Sequence, residues 1–237
     1  MSKILQLSAA TMMLMHGMAN AGLIQAGGTA TGSNGRMTSH EGACTVDFNA
    51  GSTANGCMAT YSTDAAGLFA LGANSVAFGS APTHAAPVAD TSGYLAVGTS
   101  DGTPVYVNLS MPANYFGFYA GSLDSYNLVE FFMDGVLVDS FDGAQINAVA
   151  FPGHPTTGNQ AEAQYVDYFP GVFSEGHFAP ALFNRIRISS AGNSFETDNH
   201  AFGLLAISVP EPGSLSLFGL GALCIFSLLR RRNLNRI

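Results

Sequence analysis

Tryptophan is absent from this 237-residue chain, cysteine occurs three times, and lysine occurs once, at Lys3. Without tryptophan, any aromatic platform for stacking on sugars must be built from tyrosine. Positive charge is nearly as scarce. Once both ends are set aside, only Arg36, Arg185 and Arg187 face sixteen acidic residues between positions 22 and 212, a net −13. Such a surface repels nucleic acid and anionic lipid and attracts cations or basic partners, so no nucleic-acid partner is expected. The cysteine count excludes a zinc finger, because Cys224 lies in an apolar stretch and neither Cys44 nor Cys57 has a histidine pair at finger spacing. An even pair of thiols in an exported domain predicts a Cys44–Cys57 disulfide. His-Glu-x-x-His is also missing, and His40, His84, His154, His177 and His200 are scattered without ligand spacing, which predicts surface or loop positions for all five. Sustained helical periodicity is lacking between Gly22 and Val209.

What the chain does have is concentrated first at its two ends. Lys3, an apolar run from Ile4 to Met18 and the Ala19-Asn20-Ala21 pattern read as a secretory signal peptide over residues 1–21, with an uncleaved anchor as the alternative. At the other end, Pro210 and Pro212 fix their own φ and push the preceding residues into extended backbone, making Val209, Pro210, Glu211 and Pro212 an exposed strip that suits a protease groove. Ser214 to Leu229 is sixteen residues without a charge, roughly 24 Å as a helix against a hydrocarbon core of about 30 Å. Bilayer thinning and snorkelling of Arg230, Arg231 and Arg232 close that gap and predict a single C-terminal transmembrane helix. The arginines act as a stop-transfer signal and keep the tail cytoplasmic.

This hinge, apolar segment and basic stop resemble the PEP-CTERM sorting signal of Gram-negative bacterial surface proteins. The resemblance rests on Pro210-Glu211-Pro212, the apolar segment and Arg230 to Arg232. It implies handling by exosortase, a membrane protease that cleaves near the motif. It further implies transient anchoring in the inner membrane, arrival at the cell surface or outside the cell, and association with exopolysaccharide or biofilm.

Between the ends, residues 22–43 are rich in Gly, Ala, Thr and Ser and read as a mobile leader. Residues 44–208 read as one domain. Thr45–Phe48 and Ala59–Tyr61 suggest a small hairpin that the disulfide would staple; Ala65 to Gly79 suits a weak helix or a strand, and Ser80 to Asp90 a loop. From Pro104 to Met111, Val105, Val107, Leu109 and Met111 alternate with polar residues as a half-buried strand should, and Tyr115 to Tyr119 is again strand-like, with Phe116 and Phe118 on one side. Leu128 to Phe141 reads as a hairpin about Asp134-Gly135, a favoured type I′ pair. Ile186 and Ile188 oppose Arg185 and Arg187, and Phe202 to Val209 supplies a last strand. These short runs predict an all-β fold, an antiparallel β-sandwich of jelly-roll type. Tyr115 to Ser140 and Ser194 to His200 are also similar to cargo domains of PEP-CTERM proteins, which implies fold and not activity.

No catalytic residue emerges. Gly98, Ser100 and Gly102 match G-x-S-x-G, but an elbow needs a helix after the serine, whereas a strand follows here, so a β-turn is expected. A two-residue Asp134-Gly135 turn would place Glu130 opposite Asp139, an unfavourable pairing relieved by solvent, by Arg185 or Arg187, or by a cation. No cofactor is expected; calcium is the cation that oxygen-only loops would select, with Glu130, Asp139, Asp198 and Asn199 as candidates. Tyr115, Tyr119, Tyr126, Tyr165 and Tyr168 are the candidate sugar-stacking rings. The expected function is that of an exported, non-enzymatic surface or matrix protein, with a carbohydrate-binding module and a secreted hydrolase with a dispersed site as the alternatives.

Overall fold

The structure is a computed structural model that describes residues 22–49, 56–57, 59–71, 75–100, 103–153, 159–174 and 177–206. In chain order the strands are β1 (Leu23–Gly27), β2 (Thr29–Ala30), β3 (Arg36–Met37), β4 (Cys44–Val46), β5 (Ala59–Ser62), β6 (Val76–Phe78), β7 (Gly93–Val97), β8 (Val105–Ala113), β9 (Tyr115–Ser122), β10 (Asn127–Met133) and β11 (Val136–Asp142). A short helix, α1 (Gly143–Ala150), precedes β12 (Asn159–Phe169), β13 (Gly171–Ser174), β14 (His177–Pro180), β15 (Phe183–Ser190) and β16 (Phe195–Gly203).

Two antiparallel sheets form the body. The seven-stranded sheet runs β1-β12-β9-β16-β7-β6, with β4 also paired to β16, and the five-stranded sheet runs β11-β10-β15-β8-β5. Phenylalanines hold the two together: Phe118 of β9 stacks on Phe141 of β11 at 6.1 Å, and Phe131 of β10 meets Phe116 at 6.0 Å and Tyr168 at 5.1 Å. Ile186 and Ile188 lie in the same core while Arg185 and Arg187 point away, as the alternation predicts. The Asp134-Gly135 turn also forms as expected, both residues taking positive φ, 50° and 84°, as a type I′ turn requires.

Several expectations are corrected. Residues 22–43 are not a mobile leader. Leu23 to Gly27 pair along β12, and Thr38 Oγ1 lies 2.7 Å from the Tyr115 hydroxyl, because small residues let the chain lie flat over the outer face of the seven-stranded sheet. That cover buries all eight residues of β9. Cys44 and Cys57 are bonded, with Cα atoms 5.3 Å apart. They do not staple a hairpin, however, since β4 pairs with β16 and β5 with β8, so the disulfide ties one sheet to the other. Met111, expected on a buried face, is 66% exposed near the end of β8. The last strand is β16, ending at Gly203 and beginning upstream of the expected Phe202. Finally, α1 interrupts the β pattern. It is only eight residues long, too short for visible periodicity, and is started by a reciprocal capping box between Asp142 and Gln145.

Candidate functional site

The outer face of the seven-stranded sheet carries a row of buried polar side chains, because Tyr115, Tyr119, Glu196 and Asp198 point away from the phenylalanine core toward the covering segments. At one end, the Tyr115 hydroxyl donates to Asp167 Oδ1 at 2.6 Å, and His40 Nε2 lies 3.6 Å from Asp167 Oδ2. In the middle, Tyr119 donates to the carbonyl of Val88, and Ser92 N donates to Asp90 Oδ1 at 2.8 Å while Ser92 Oγ sits 3.5 Å from Asp198 Oδ2. Burial, with the Asp90 carboxylate next in effect, pushes Asp198 up to about 10, so this carboxyl is protonated at neutral pH.

The row ends in a cavity of about 160 Å³ lined by His84, Ser122, Asp124, Tyr126, Asn193 and Glu196. Glu196 Oε2 accepts from Ser122 Oγ at 2.7 Å and Oε1 from Ala85 N at 3.1 Å. Burial raises its carboxyl to about 7, against the lowering effect of those two hydrogen bonds. The Tyr126 hydroxyl is hydrogen-bonded to Asp124, and burial followed by that bond raises it to about 12. Of the five tyrosines expected to stack on sugars, Tyr115, Tyr119, Tyr165 and Tyr168 are buried and only Tyr126 presents its ring to solvent, 37% exposed. The other four fail as a platform because the segment from 22 onward and the partner sheet cover them. The sequence touched this pocket only through Ser194 to His200, a stretch similar to cargo domains that implied fold; its polar residues from Glu196 to His200 are buried positions of β16.

The calcium candidates fall in three separate places. The hairpin register shifts between Phe131 and Phe132, so Glu130 sits opposite Ser140 and Asp139 opposite Phe131, not opposite each other. One extra residue on β11 turns Asp139 inward, where Tyr168 Oη and Gly171 N each donate to Oδ2 at 2.9 Å. Glu130 stays outside and pairs with Arg187, one of the two arginines expected to relieve it. Asp198 neighbours Asp90, and Asn199 Nδ2 donates to the carbonyls of Asn34 and Arg36 at 2.8 and 2.9 Å. Among the described residues, no three His, Cys, Asp or Glu side chains are grouped to hold a metal ion.

His200 is another correction, being wholly buried and not a surface or loop residue. Tyr61 Oη lies 2.9 Å from Nδ1 and Thr197 Oγ1 2.8 Å from Nε2, which joins β5 of one sheet to β16 of the other, and burial lowers the imidazole to about 3. In the G-x-S-x-G stretch, Thr99 and Ser100 form a turn between β7 and β8. His154, Asp101 and Gly102 lie outside the described residues, as do residues 1–21, expected to be a signal peptide, the Val209–Pro212 stretch, the apolar segment with Cys224, and Arg230, Arg231 and Arg232. Among the described residues no helix is long and apolar enough to cross a membrane.

No curated protein and no solved structure gives a significant match to the chain. A family model does match at the C-terminal end. Residues 208–232 fit the PEP-CTERM protein-sorting motif, which identifies the chain as a carrier of the signal that exosortase processes and implies export with transient membrane anchoring.

Proposed function

We propose that this chain is exported behind a signal peptide of residues 1–21, is held in the inner membrane by its C-terminal apolar segment, and is cleaved by exosortase near Pro210-Glu211-Pro212. The β domain then resides at the cell surface or in the extracellular matrix and associates with exopolysaccharide without catalysis. The match at residues 208–232 carries this reading. The Cys44–Cys57 disulfide supports an oxidising destination, and the placement of Ser100 in a turn between two strands supports a role other than hydrolysis. The test compares the mass and fractionation of the protein in cells with and without exosortase. Cells lacking it should retain a membrane-held precursor of unshortened C-terminus; the same shortened, released protein from both would overturn the reading.

A carbohydrate contact at the Tyr126 pocket is the finer reading, favoured by the one exposed tyrosine ring beside Asp124, Asn193 and Glu196. The released protein should be retained on immobilised exopolysaccharide of the producing strain. Tyr126→Ala should weaken retention several-fold, the scale of about 0.5–1.5 kcal/mol for a stacking contact. Equal retention of both proteins would remove Tyr126 from the contact.

A further inference from the structure

Asp139 is a buried carboxylate, 4% exposed, whose partners are all neutral. Tyr168 Oη and Gly171 N donate to Oδ2 at 2.9 Å, Ser140 N donates to Oδ1 at 2.8 Å, and the backbone nitrogen of Gly22 donates as well. No arginine of the domain reaches it. Arg36 donates to the carbonyl of Gly28, Arg185 to Asn108, and Arg187 to Glu130. A carboxylate so placed needs a cation or must take up a proton, and burial does hold this one above the ordinary carboxylate range.

The one backbone nitrogen in this set that processing could make cationic is that of Gly22. This residue is itself buried, against the hydroxyl of Tyr168 and the carbonyl of Phe169; a Cβ added there would lie 2.5 Å from both oxygens. The site therefore accepts the main chain of a glycine and nothing larger. It also lies immediately after Ala19-Asn20-Ala21, the small-residue pattern that precedes a signal-peptidase cut.

We propose that the Ala21–Gly22 bond is the processing site and that the α-ammonium released at Gly22 closes a buried ion pair with Asp139. This rests on reading residues 1–21 as a cleaved signal peptide. In the hydrolysis, water supplies the hydroxyl that Ala21 keeps as its new carboxylate, the C–N bond breaks, and the departing nitrogen takes up protons to become the ammonium of Gly22. Removal of the signal thus supplies the charge that Asp139 lacks and locks β1 onto the end of β12, joining export to the completion of the seven-stranded sheet.

The chemistry of this chain makes the pair directly readable. Lys3 is its only lysine, so a protein beginning at Gly22 contains a single primary amine, its own N-terminus. The exported protein, purified from producing cells, is sequenced from its N-terminus and treated near neutral pH with an amine-acylating reagent, folded and denatured, with intact mass as the readout. The expected result is an N-terminal sequence of Gly-Leu-Ile and acylation at least about tenfold slower in the folded protein. A factor of ten is what a one-unit rise in the basicity of an α-amine would give, apart from steric shielding. Asp139→Asn, which keeps the shape of the side chain and removes its charge, should restore much of the reactivity in the folded state. A Gly22 terminus that reacts as fast folded as denatured would overturn the ion pair while leaving the signal-peptide reading intact. Any other N-terminus, or retention of Lys3, would overturn both. Should Asp139→Asn fail to fold, the pH dependence of acylation in the wild-type protein decides: an amine that titrates no higher in the folded than in the denatured protein would overturn the ion pair.

Discussion

Glu196 and His200 lie four residues apart on β16, yet burial moves their titrations in opposite directions, and their effects on stability oppose each other. The Glu196 carboxyl, raised from 4.5 to about 7, stays protonated in the folded domain after the unfolded chain has lost that proton. Its contribution is complete below about 4.5 and is lost as pH rises through 7. His200, lowered from 6.5 to about 3, contributes stability above 6.5 that is lost as pH falls toward 3. Glu196→Gln isolates the first effect. A glutamine amide mimics the protonated acid, accepting from Ala85 N and donating to Ser122 Oγ, so the variant should match wild type near pH 4.5 and gain on it as pH rises to 7 and beyond. A shift of that size corresponds to a relative gain on the order of 3 kcal/mol. Thermal melts across pH 4.5 to 8 measure it, and a constant difference between the two proteins would contradict a buried acid at this position.

At the scale of elements, what the sequence made legible were strands with one buried face and turns with their own chemistry. The β10–β11 hairpin, β15 and the start of β8 show period-two alternation, and Asp134-Gly135 marks the only turn these two strands could share. What escaped were elements buried on both sides or by unusual means. The polar residues of β16 look like loop because their covering layer, the segment from Gly22 to Phe48, is itself made of small residues that look like linker. Each disguises the other. The extra residue in β11 left no mark in the alternation, yet it moved Asp139 from one side of the sheet to the other. The pairing of Cys44 with Cys57 was legible, whereas its partners in space were not, since both halves of the presumed hairpin pair with strands far along the chain. A link across 13 residues contributes about 3 kcal/mol in chain-entropy terms. Because it ties edge positions of the two sheets, reduction or the double change Cys44→Ala with Cys57→Ala should lower the melting temperature by roughly 10 °C, at about 2–4 °C per kcal/mol for a domain of this size. Calorimetry with and without reductant checks this, and an unchanged transition would show that the two edges are held without the bond.

At the scale of the whole molecule, the β domain and the sorting motif have separate physical tasks that meet within a few residues. β16 ends at Gly203, and the matched motif begins at residue 208, so the last strand of the sheet is followed almost at once by the strip that exosortase must reach. In that strip Pro210 and Pro212 flank Glu211, the one charge available for recognition. As the proposed stop-transfer signal, Arg230, Arg231 and Arg232 would act through topology, because charges on the cytoplasmic side resist transfer across the bilayer. Two variants separate these roles. Glu211→Ala should still insert and should accumulate as an intact, membrane-held precursor. Replacing the three arginines with alanine should instead let the tail pass through the membrane, so that the protein escapes processing in soluble, unshortened form. Intact mass and fractionation of each product distinguish them. Recovery of a normally shortened, released protein from Glu211→Ala would place recognition on the prolines or the apolar segment and not on the carboxylate, whereas a membrane-held precursor from the arginine variant would mean that the apolar segment anchors the chain by itself.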